Sequence, residues 1–249
     1  MTKYEEYCKK LRHLQKWEPW LLEMSGLPGP RANLELVQAA ADLGDAARFE
    51  AWLRYTPDLA DTNSPQMFLA VCGAVGLGKL LAQGELDRLE TLHFLANDPR
   101  WRMREAVAMA LQRWGNEDMS ALVSAMEVWA ARGTLLEKRA AAAAVCEPKL
   151  LKDAALAQRV LTMLDTITGS LLRENDRRSE DFKTLRQGLA YCWSVAVSAC
   201  PAAGKPLMEK WMTCEDHDIL WIMKQNLGKN RLERMDAEWV AKCRERYFA

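Results

Sequence analysis

Between Gly73 and Leu80 the chain reads Gly-Ala-Val-Gly-Leu-Gly-Lys-Leu, which has the Gly-x4-Gly-Lys spacing of a loop that cradles nucleotide phosphates. Such a loop continues with a Ser or Thr hydroxyl for magnesium, and Leu80 has none. Phe68, Val71, Cys72, Val75 and Leu80 recur with helical spacing, so the preceding segment is not the strand that a phosphate loop follows. The glycines are therefore expected to let two helices approach closely, with no nucleotide at Lys79. His13, His93 and His217 lie far apart, outside any metal-ligand spacing, and no Gly-x-Ser-x-Gly elbow occurs. Glu5/Glu6, Glu117/Asp118 and Glu180/Asp181 stand where helices begin and are read as dipole partners. The seven cysteines are scattered without a CxxC pair, which argues against a disulfide framework and a zinc site. No metal, cofactor or catalytic group is expected from these residues.

What remains is aromatic and basic. Trp101 stands between Arg100 and Arg102, and Trp221 shares a helical face with Lys224, Gly228 and Arg231, away from Leu220, Met223 and Leu227. Exposed Trp beside Arg or Lys makes a binding surface. Packing between helices is the alternative, and it is the reading for Trp114 and Trp193, which follow apolar residues at helical spacing.

The elements that must position these side chains are all helical, because Gly and Pro punctuate runs of helical period and no segment alternates as a strand. The periodicity predicts helices at about 3–23, with a break at Pro19, then 33–43, 46–55, 66–82, 85–97, 100–114, 117–132, 135–146, 154–173, 180–199, 202–213, 218–228 and 237–247. Ser64-Pro65, Asn116, the capping box Thr134-x-x-Glu137, Ser179 and Asp236 are the expected start signals. Asp98 is expected to cap a helix with Pro99 at its first position, and Gly115 to end it. Short connections between helices of this length imply antiparallel neighbours. No run of about 18 apolar residues is evident, so no membrane span is expected, and the polar N-terminus lacks the character of a signal peptide. The expected location is the cytoplasm.

The segment Asp98-Pro99-x-Trp101-Arg102-x-Arg104-Glu105-Ala106-x-Ala108-x-Ala110-Leu111-x-x-Trp114-Gly115 resembles the second helix of a HEAT-type repeat. A degenerate echo, Asp216-x-Asp218-x-x-Trp221-x-x-Lys224-x-Asn226-Leu227, lies about 120 residues on, compatible with three periods of roughly 40. The resemblance implies a right-handed α-solenoid of five or six helix pairs, with residues 1–30 as an N-terminal helical cap and 31–249 as the array. A compact all-helical domain with irregular packing is the alternative. It also implies that the Asp-Pro helix lines the concave face and that Arg104 serves structure, reaching nearby carbonyls or acids.

Lys plus Arg equals Asp plus Glu at 34 each, so overall charge points to no polyanionic partner, but its distribution is uneven. Segments 66–82, 100–114, 134–146, 176–199 and 216–231, inner by the resemblance, hold 14 basic against 7 acidic residues. Their partners 85–98, 117–132, 153–174 and 202–215 hold 6 against 12, although 33–43, also inner by alternation, is acidic. Helical geometry then places Arg102, Arg113, Lys183, Arg186, Trp221, Lys224 and Arg231 in one basic groove. Two readings follow. One is a non-catalytic interaction protein holding a protein, peptide or other acidic partner. The other is a nucleic-acid-binding protein similar in type to the HEAT-like DNA-alkylation-repair glycosylases. That family's Trp-Trp-Asp-x-Val-Asp segment is missing, and Trp101 with Glu105 is the nearest counterpart.

Overall fold

A computed structural model describes residues 1–248, and every regular element among them is a helix. In chain order these are α1 (Lys3–His13), α2 (Glu18–Glu23), α3 (Leu34–Leu43), α4 (Ala46–Leu53), α5 (Pro65–Ala82), α6 (Arg88–Leu95), α7 (Trp101–Glu117), α8 (Met119–Arg132), α9 (Leu135–Val145), α10 (Ala154–Leu171), α11 (Glu180–Ala199), α12 (Pro201–Met212), α13 (His217–Leu227), α14 (Asn230–Met235) and α15 (Ala237–Phe248). They form two compact units, Met1–Glu117 and Asp118 onward.

The first unit is built around α5. Fourteen of its eighteen residues are buried, so it is apolar all round, as a helix enclosed by others must be. Helices α1, α3, α5 and α7 pack in succession, while α2, α4 and α6 lie against α5. Two close approaches need glycine. A Cβ on Gly76 would penetrate the Phe49 ring of α4, and one on Gly78 would penetrate the Ala110 carbonyl of α7. Ser64 caps α5 by accepting from Met67 N, and Pro65 occupies its first turn. The helix stops in a Schellman turn: Glu85 N donates to Leu80 O, Gly84 N donates to Leu81 O, and Gly84 takes φ +96°. By length and mean hydropathy, 1.4, α5 would suffice to cross a membrane, which corrects the expectation that no segment would; 78% of it is buried inside the protein.

In the second unit α9, α11, α13 and α15 pack in succession, and so do α8, α10 and α12, with sequential helices crossing between the two rows. Tryptophan indoles tie elements together. Trp193 Nε1 donates to Thr168 Oγ1, Trp211 to Asp165 and Trp239 to Glu209. Of the ten tryptophans only Trp101 is exposed; Trp20 and Trp221 are half-buried.

Some boundaries differ from expectation. The break after α1 falls at 14–17, because Pro19 sits in the first turn of α2, where its missing N–H costs no bond. Asp98 does not cap α7. Its carboxylate is held by Arg100, and the helix begins at Trp101. Gly115 and Asn116 do not end or start a helix: α7 runs through both to Glu117, and Asp118 caps α8. The short α14 has no counterpart among the predicted helices.

Candidate functional site

The stretch opening α7 spends its cations on backbone oxygen. The Arg100 guanidinium grips the Asp98 carboxylate at 2.6 and 2.9 Å, and its third nitrogen donates to Tyr55 O and Ala60 O. Arg102 donates to Thr62 O at 2.9 Å and to Gly29 O at 2.7 Å. Arg104 donates to Asp98 O and Pro99 O, so it serves structure by reaching nearby carbonyls. Arg100 and Arg102 thus fasten the loops at 24–33 and 54–64 to one helix start, while Arg104 ties down the turn just before it. Carbonyls are neutral acceptors, so burial goes uncompensated by a counter-charge and pulls the Arg102 guanidinium below the ordinary arginine value.

Above this fastening lies an apolar groove of about 260 Å³, walled by Pro30, Leu34, Val71, Trp101, Ala106 and Met109, with Arg31, Arg102 and Glu105 at its polar edges. Trp101 is 47% exposed at its mouth, and one ring face is covered by Arg102 at 4.3 Å. The loop wall is itself rigid: Ser25 Oγ accepts from Leu27 N, Ser25 O accepts from Asn33 N, and Asn33 Nδ2 donates to Met24 O.

Elsewhere in the first unit, Lys79 donates to Asp42 O and Gly44 O, supplying donors to the C-terminal end of α3. The Gly73–Lys79 segment is the interior of α5, without the loop geometry that wraps phosphate. Arg113 pairs with the Asp42 carboxylate and Gln38, and Asp42 also accepts from Tyr4 OH, a bond to a carboxylate that raises the Tyr4 phenol.

The second unit treats its cations in two ways. Arg186 stacks on Trp221 at 3.9 Å, and its Nε lies 2.9 Å from Asp218 Oδ1 as an ion pair without hydrogen-bond alignment. Arg177 pairs with Asp216 and Asp218. Lys183 makes an exposed ion pair with Glu180. By contrast Lys224, Lys229, Arg231 and Arg234 have no carboxylate partner among the described residues. Three of these, Lys229, Arg231 and Arg234, line a depression of about 410 Å³ with Tyr191, Gly228 and Asn230. Arg231 stacks on the Tyr191 ring at 4.6 Å and donates to its hydroxyl at 2.5 Å.

That depression is held by a buried polar key. Asn226, fully buried in α13, accepts from Ser194 N and donates to Leu189 O, both in α11 at the turn that presents Tyr191. Ser194 Oγ donates to Tyr191 O, fixing the same turn.

Of the seven sequence-derived groove residues, Arg102 is 6% exposed and faces inward, while Arg113 and Arg186 are occupied by carboxylates. Lys183 and Trp221 lie on α11 and α13, Lys224 on the exposed side of α13, and Arg231 at the depression. Lys229 and Arg234 lie outside the sequence-derived set; their signal was the turn after α13, which carries basic residues at 229, 231 and 234. No four-ligand site emerges, and no group of three metal-binding side chains occurs among the described residues. The fold establishes a class, an all-α protein of two helical units. Compared with known protein families, curated proteins and solved structures, the chain matches none.

Proposed function

We propose that the chain is a non-catalytic interaction protein built as an α-solenoid of HEAT-like helix pairs, and that it holds an acidic partner on the second unit. The observation carrying this reading is the clustering of Lys224, Lys229, Arg231 and Arg234 in one short stretch with no carboxylate partner among the described residues. Lys229 and Arg231 are half-buried, and most other half-buried cations of the protein are paired with carboxylates. Desolvating an unpaired cation is costly, so charge left in solvent is available to a partner and raises its association rate. The repeat reading is supported by the second unit, where every second helix packs on the next of its row, and in the first unit by the single row α1, α3, α5 and α7.

A second reading draws on the exposed Trp101 beside Glu105 at an apolar groove, the nearest counterpart of the base-excising glycosylases. Fluorescence anisotropy separates the two. Labelled polyglutamate should bind at low salt and be weakened by Lys224→Glu/Arg231→Glu. Duplex DNA that binds with a steep salt dependence, together with excision of alkylated bases lost in Trp101→Ala or Glu105→Gln, would replace the first reading by the second. Binding of neither polymer at low salt would discard both.

A further inference from the structure

We infer that the depression formed by Tyr191, Lys229, Arg231 and Arg234 is a receptor for a phosphate monoester carried on a protein side chain. The inference rests on the proposed reading of an acidic partner and narrows it to one chemistry and one place.

Three cations within six residues converge on a single depression of about 410 Å³, and none is matched by a carboxylate among the described residues. A phosphate monoester is compact, carries close to two negative charges at neutral pH and offers three acceptor oxygens. A lone carboxylate offers two oxygens and one charge, too little for three cations. Arg231 is already oriented: its ring contact and its bond to Tyr191 OH fix the guanidinium plane, and its remaining N–H groups stay available for a bidentate contact. Preorganisation of this kind removes the ordering cost that surface arginines ordinarily carry. The support beneath is equally fixed, since Asn226 locks α13 to the α11 turn bearing Tyr191, and Arg244 holds Leu227 O just before the Gly228 bend. Backbone displacement therefore does not disperse the cluster.

Other phosphate carriers fit less well. A duplex backbone needs cations tracking several phosphates along a strand, whereas these three line a single depression. A membrane surface needs apolar side chains beside the basic ones, and the lining supplies only Tyr191, whose ring is stacked by Arg231. That same stacking leaves no open aromatic slot of two faces for a nucleobase.

The test uses the full chain and a fluorescein-labelled decapeptide with one phosphoserine among neutral residues, its unphosphorylated twin, labelled polyglutamate, labelled duplex DNA, and vesicles containing a phosphoinositide. The phosphopeptide should bind at least about tenfold tighter than its twin, inorganic phosphate should compete, and Lys229→Ala/Arg234→Ala should erase the preference. Both side chains reach solvent, and circular dichroism will establish that the variant keeps its helices. As a second variant, Arg231→Lys keeps the charge but loses the planar fork, and should weaken the phosphopeptide more than polyglutamate. Equal binding of the twins, or a preference that survives the double variant, overturns the inference; if polyglutamate still binds, the acidic-partner reading stands without it. Binding confined to duplex DNA or to the vesicles overturns it in favour of those carriers.

Discussion

A methyl group is the smallest probe of how these helices meet. On Gly78 it would collide with the backbone of Ala110, which cannot rotate away, so Gly78→Ala should lower stability by about 1–3 kcal/mol in urea unfolding. On Gly169 of α10 the same methyl would rest 3.6 Å from Trp211, an ordinary contact inside a helix. Gly169→Ala should therefore raise stability by about 0.5–1 kcal/mol, because Gly in a helix costs that much backbone entropy. The Asp98–Arg100 pair, each side chain 5% exposed, calls for the opposite experiment. Arg100→Ala leaves a buried carboxylate without its counter-charge, held by one backbone N–H, and two loop carbonyls without donors, and a loss of about 3–5 kcal/mol is expected. The sequence marked this segment as the one to watch, and the packing role of Gly73, Gly76 and Gly78 was legible in the helical spacing around them. The inward turn of Arg102 was not, since its acceptor Gly29 O lies 73 residues away and a carbonyl leaves no trace in residue type.

At the scale of elements, one buried amide bridges α11 and α13. Asn226 bridges the Leu189 carbonyl and the Ser194 N–H, groups five residues apart in α11. Asn226→Leu removes both bonds inside a dry interface and should cost about 2–4 kcal/mol, with amide exchange quickening first around Ser194. Asn226→Asp should be no milder, because a carboxylate cannot donate to Leu189 O. Nearly all helices were legible from period and caps, and the Ser64, Thr134 and Ser179 caps stand where their residue types indicated. At the end of α7 a terminating residue yields because burial continues. Gly115 stays helical because it is itself buried beside Leu111 and Trp114 on the packed face of α7. The six residues of α14 bury only Leu232, too little to leave a periodic signal.

At the scale of the molecule, buried thiols set the alkaline limit. Burial, with the Glu209 charge adding to it, pushes the Cys243 thiol up to about 11, and burial raises Cys72 and Cys146 as well. The unfolded thiol titrates near about 8.5, so the folded value is the higher one. Stability is then fully present below about pH 8.5 and is lost as pH climbs through the folded values, and the urea midpoint should fall between pH 8.5 and 11. Below that window iodoacetamide should reach the half-buried Cys200 and Cys214 first, read by mass spectrometry. The burial of α5 has a consequence in time. Ribosomes deliver the chain from its N-terminus, so α3 and α4 emerge ahead of α5, whereas α7, whose Ala110 backbone meets Gly78, comes later. In that interval the nascent chain displays an eighteen-residue apolar helix with one side uncovered, resembling cargo for the factors that receive hydrophobic segments at the exit tunnel. Translation complexes stalled with α5 outside the ribosome but α7 still within should crosslink to such factors, and release them once Glu117 has emerged.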